Sequence, residues 1–237
     1  MTRNQFLPVA ALTFALICAF AAPRRVAGQD NKTPYPSMAS MDQYLMDRDA
    51  EIALARSAAP KSISDDATVV VLTRNGYETA VKGTNGFVCI VERTWTGDFG
   101  NPDFWNPKTR GPICYNPAAA RSVLLYTFYR AKLVLAGLTI PQILERTKAA
   151  VANKELPMPE PGAMSYMLSK EGYLNDKVGH FVPHLMFHIP KTDGATWGAN
   201  FDGSPIFMDP RAYTEPETIF MVQVAQWSDG TPAPLPR

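Results

Sequence analysis

Excess charge of either sign is missing from this chain: 23 Lys and Arg stand against 22 Asp and Glu in 237 residues, a formal net charge of +1. Nucleic-acid binding needs a clustered basic surface to neutralise phosphates, so the balance excludes that class and weakens a polybasic membrane patch. Histidine and cysteine are scarce, three of each. No Gly-x-Ser-x-Gly elbow, His-Glu-x-x-His pair or phosphate-binding glycine loop occurs. The apolar run from Phe6 to Phe20, about 15 residues, is short of the roughly 20 that a membrane helix needs. What is present is apolar mass. At 46% hydrophobic and 11% aromatic residues the chain has enough to bury a core, which excludes wholesale disorder.

Residues 1–28 follow the plan of a secretory signal: Arg3, the apolar run, then small residues. An uncleaved anchor is the competing reading. Cleavage fits after Ala19-Phe20-Ala21 or after Val26-Ala27-Gly28, and the bulky Ile17 before Cys18 argues against a lipid anchor. Removing this segment takes Arg3, Arg24 and Arg25 and no acid, so 23 basic residues fall to 20 against 22 acidic ones. Cys18 goes with it. Two cysteines are too few for a Cys-only structural zinc site. Cys89 and Cys114 remain, and an even pair in an exported chain reads as a disulfide, with two buried thiols as the alternative.

Residues 29–39 are polar and broken by proline, as in a flexible leader, and Asn31-Lys32-Thr33 fits a glycosylation acceptor. A single domain is expected over 40–227, followed by an exposed tail over 228–237. Ser40 with Gln43 predicts a helix running to about Ser57. Strands are expected over 68–73, 77–82 and 87–94. Arg74-Asn75-Gly76 forms the first turn and Gly83-Thr84-Asn85-Gly86 the second, giving an antiparallel three-strand meander. From Trp95 to Tyr115 the chain lacks periodicity and reads as a long loop tied down by the cysteine pair. Asn116 and Pro117 start a strongly apolar helix that Gly137 stops, and Thr139 with Gln142 starts another to about Asn153. Short runs at 163–168, 184–189 and 218–224 read as strands. The order predicts an α+β domain, an antiparallel sheet packed with about three helices.

All three histidines fall in His180-Phe-Val-Pro-His184-Leu-Met-Phe-His188. On a helix this spacing would make a metal face, but Pro183, Pro190 and the β-favouring residues between them predict an extended segment. Eight residues of strand cover roughly 26 Å, too far for three rings on one ion. His184, Met186 and His188 share a face with neighbours about 6–7 Å apart, which leaves a copper site open. The bland reading is a strand with methionine filling gaps. For hydrolysis the best base is His184, with Glu92 and Arg93 as charged partners at a strand end, or simply as a surface ion pair. Trp95, Phe104 and Trp105 beside Asn and Asp residues suit a glycan, a peptide or another amphipathic ligand, or else form a small core beneath the disulfide.

Three stretches, Gly83-Thr84-Asn85-Gly86-Phe87-Val88-Cys89, Pro112-Ile113-Cys114-Tyr115 and Pro183-His184-Leu185-Met186-Phe187, resemble parts of uncharacterised exported bacterial proteins. The resemblance spans most of the chain beyond the signal and implies a periplasmic or secreted location. It implies no activity. The expectation is therefore an exported module that binds a small molecule, a glycan or a protein, with no stable membrane span after signal cleavage. Copper binding or copper dependence and a His184 hydrolase are the alternatives.

Overall fold

The computed structural model describes Met1, residues 34–209 and residues 214–234. The signal segment, Cys18, the Asn31 acceptor and the last three residues of the tail lie outside the described residues. Among the described residues five α-helices and one mixed eight-stranded sheet make up an α+β fold. The helices are α1 (Arg48–Arg56), α2 (Lys61–Ser64), α3 (Pro117–Arg121), α4 (Leu124–Leu135) and α5 (Ile140–Ala152). The strands are β1 (Thr68–Thr73), β2 (Gly76–Val81), β3 (Val88–Glu92), β4 (Gly111–Tyr115), β5 (Met164–Met167), β6 (His184–Pro190), β7 (Ile206–Phe207) and β8 (Glu217–Gln223). They lie in the order β2-β1-β3-β4-β5-β6-β8-β7. Among the described residues no helix is long and apolar enough to cross a membrane.

The expected meander is corrected. β1 and β2 form the antiparallel hairpin with Thr73 opposite Gly76, but β3 lies on the other side of β1 and parallel to it. The reason lies in residues 82–87, which wrap the start of β1 instead of turning back along β2. Asp66 accepts the amides of Thr84 and Asn85, and Thr68 donates its amide to Phe87. Gly83 makes this crossing possible, because a Cβ there would stand 2.2 Å from the Thr68 nitrogen. In the hairpin only Gly76 takes a positive φ, 121°, while Asn75 donates its amide to the Thr73 hydroxyl.

The helix expected from Ser40 is split. Met41–Gln43 make one 3-10 turn, and α1 starts afresh where the Asp47 carboxylate accepts the amides of Asp49 and Ala50. The apolar helix beyond Asn116 also breaks at Ser122, into α3 and α4. At α5 the Thr139 and Gln142 capping box forms as expected. The long loop is shorter than the sequence implied, since Gly111–Tyr115 form the central, wholly buried strand β4. Cys89 and Cys114 face each other across β3 and β4 and are bonded.

Side chains alternate along each strand, so the sheet has two separate covers. One face packs Val69, Val71, Val91 and both cysteines beneath Leu54, Ala55 and Ala58 of the α1 region. The other packs Ile90, Ile113, Tyr115 and Met186 against Val123 and Leu124 of the helical layer. The described parts of the leader and the tail, residues 34–39 and 228–234, each make specific contacts with the domain, and most of the described tail is exposed. In the leader, Tyr35 donates its hydroxyl to Asp176, and Met38 packs on a third apolar cluster. Asp176 also accepts from Tyr173 and Lys108, and these three donors hold its carboxyl well below the usual carboxylate range. In the tail, Ala233 returns its amide to Ala225, and Lys170 pairs with Asp229 at 2.7 Å.

Candidate functional site

A cavity of about 280 Å³ lies between the helical layer and the central strands. Its wall is assembled by alternation and register. Tyr115 stands opposite Ser165, Ser165 opposite Met186, and His188 opposite Ile219, so these side chains share one face. Opposite them α4 and its N-cap residue contribute Val123, Thr127 and Arg130, at spacings of four and three that place them on one side of the helix. Ile113, Val123, Met167, Met186 and Ile219 make the wall mostly apolar. Onto this background three polar groups converge.

The first is Glu92. Tyr115 donates its hydroxyl to Oε1 at 2.5 Å and Thr127 to the same oxygen at 2.8 Å, while Thr96 donates to Oε2 at 3.1 Å. Burial, with the nearby Glu92 charge adding to it, pushes the Tyr115 phenol well above its ordinary pKa, so it stays a proton donor to Glu92. The second is Arg130, whose Nε and Nη2 reach the two oxygens of Glu215 at 2.5 and 2.8 Å. Its guanidinium carbon lies 4.1 Å from the centre of the Phe99 ring. The third is His188, with Nδ1 2.9 Å from Glu217 Oε2 and Nε2 3.0 Å from Ser165 Oγ.

Ser165, His188 and Glu217 have the connectivity of a nucleophile, base and acid array. Exposure decides against that role, because Ser165 is 0% exposed and no part of it lies on the cavity wall. An acyl group cannot reach its oxygen. The two bonds lock the His188 ring in one orientation, with its edge on the cavity.

Of the residues singled out from sequence, Glu92, Arg93, Met186 and His188 border this cavity, and His184, Trp95, Phe104 and Trp105 do not. His184, expected as a base, is buried with Nδ1 against the Val182 carbonyl at 2.7 Å and its ring between Phe181 and Phe207. Among the described residues no hydroxyl or carboxylate bonds to it, so its surroundings are those of a core histidine. Glu92 is on the cavity, but Arg93, the next residue along, turns its guanidinium to Glu51 at 3.0 Å and to the Tyr44 carbonyl at 2.9 Å. The pair expected at the surface is thus neither exposed nor a pair. Trp95, Phe104 and Trp105, expected to stack a ligand, are buried with Tyr44 and Val134; of the three only Trp105 reaches the surface, 7% exposed beside Met38 and Leu138. His184, Met186 and His188 do share the buried face of β6 as expected. Both nitrogens of His188 are engaged, however, and among the described residues no group of three His, Cys, Asp or Glu is arranged to hold a metal ion.

Sequence reasoning passed over Tyr115, Thr127, Arg130, Ser165, Glu215 and Glu217. Two signals pointed towards them: an arginine in the middle of a strongly apolar helix, and two acids leading an apolar strand.

The His184 environment predicts a pH dependence. Burial depresses its pKa below the ordinary 6.5, so the unfolded chain takes up a proton that the folded chain refuses. The stability conferred by the neutral ring is complete above pH 6.5 and declines as pH falls from there towards the folded value. Urea unfolding at several pH values should show that slope in the parent and a flatter one in His184→Gln. Parallel slopes would mean that other groups carry the dependence.

The fold and the cavity together define an α+β protein with an interior polar site. The chain matches no family model, no curated protein and no solved structure.

Proposed function

We propose that this chain is an exported binding module for a small molecule, held in the cavity between α4 and the central strands. One observation carries the reading: Glu92, Arg130, His188 and Glu217, from four separate elements or their ends, converge on a mostly apolar space. Small-molecule sites have that composition, apolar walls with a few placed polar groups. A glycan or protein partner would need an open face, and the aromatic residues proposed for it are packed inside. The buried disulfide is compatible with export, and with the resemblance noted above it supports a periplasmic or secreted location.

The test is mass spectrometry of the natively folded protein isolated from its own host. A non-covalent adduct of small-molecule mass is expected. Ile219→Trp, which fills the cavity from its wall, should lack the adduct while keeping its circular dichroism. The reading is overturned if the parent carries no adduct and a fragment library, screened by ligand-observed NMR, yields nothing that Ile219→Trp expels.

A further inference from the structure

We infer that the ligand of this cavity is a small organic cation, an ammonium ion with apolar substituents. The inference rests on the binding reading above and follows from the charges that the fold leaves unbalanced. Three carboxylates stand at the wall, Glu92, Glu215 and Glu217. The Arg130 guanidinium answers only one of them, being forked onto both oxygens of Glu215. Arg93 also borders the cavity, yet its charge is matched by Glu51. Glu92 therefore has three neutral hydroxyls for company, and no lysine or arginine among the described residues pairs with it. Among the described residues Glu217 has His188 alone. With that ring neutral the wall carries two unmatched negative charges, and with it protonated one. The sign is the same in both cases.

Hydroxyl donors reduce the penalty for removing a carboxylate from water, but an opposite charge offsets it far better. An ammonium ion near Glu92 and Glu217 supplies that charge. The remaining wall suits the body of such an ion. Tyr115, Tyr126 and Phe181 line it with aromatic rings, to which ammonium groups are drawn, and Met167 and Met186 adapt to its methyl or methylene groups. An anion would meet repulsion from the same carboxylates. The volume, about 280 Å³, is at the small end of ligand sites, which run from roughly 300 to 1,000 Å³, so the ion is small.

Calorimetric titration of the full chain at low salt tests this with two matched pairs of probes. Choline is set against its uncharged carbon isostere 3,3-dimethylbutan-1-ol, and n-butylammonium against butan-1-ol. At least one ammonium ion is expected to bind about tenfold tighter than its neutral partner, as charge and ring attraction in a desolvated site require. Glu92→Gln and Glu217→Gln should each weaken that ion by about tenfold while leaving the alcohol unchanged. Equal affinity within both pairs, or indifference to both carboxamide variants, overturns the inference. If neither ion binds but a neutral or anionic fragment enters the cavity and is expelled by Ile219→Trp, the cation inference falls and the binding reading stands. If nothing enters, both fall.

Discussion

Replacing Arg93 with methionine should lower the unfolding free energy by about 3–5 kcal/mol, the penalty for stranding a buried carboxylate. The Arg93 and Glu51 side chains are 0% and 1% exposed, so water cannot take over when one of them is removed. The guanidinium also ties α1 to the end of β3 and to the Tyr44 carbonyl, which joins the 3-10 turn to the sheet. Glu51 in turn accepts the Leu72 amide of β1. At roughly 2–4 °C per kcal/mol for a domain of this size, the melting temperature should fall by about 6–20 °C. The double variant Arg93→Met with Glu51→Leu should recover most of the loss, because it leaves no lone charge behind. A double variant as unstable as the single one would show that packing, not charge, dominates there.

The second large effect is expected at Cys89 and Cys114. Their separation of 25 residues implies about 3.5 kcal/mol of stabilisation by chain-entropy reasoning. The paired alanine variant should lose about that much in denaturant unfolding, with a fall of roughly 7–14 °C in melting temperature. Both sulfurs lie at 0% exposure under α1, so the bond is shielded and the folded protein should resist mild reductant. Rapid loss of the bond in reductant without denaturant would contradict the burial.

What the sequence disclosed was local. The Asn116 cap with Pro117, the Thr139 box and the extended backbone from His184 onward each depend on a few adjacent residues, and the chain adopts them, whereas His180 lies at a bend outside the strand. The cysteine pairing was legible from number and from the export expected of the N-terminal segment. Pairing of distant strands was not. Whether β3 adds beside β2 or crosses to the far side of β1 depends on how Gly83 fits over Thr68, a contact between segments and not a pattern within one. The strand at Gly111–Tyr115 was hidden by its glycine and proline, which depress strand propensity although burial overrides it. The candidate site was half legible. Glu92 and His188 were named, but with Arg93 and His184 as companions, because proximity in sequence stood in for proximity in space. Their actual neighbours, Thr127 and Glu217, lie 35 and 29 residues away.

The sheet has a seam. β4 and β5 are joined through two residue pairs, Cys114 with Tyr166 and Tyr115 with Ser165, as few as β1 with β3 and β7 with β8, whereas β6 and β8 share seven. The cavity straddles that weak join, with Glu92, Tyr115, Thr127 and Arg130 contributed from one side and Met186, His188 and Glu217 from the other. A guest lodged there would rivet the front and back portions of the polypeptide together, so filling the hole and holding the molecule shut are a single equilibrium.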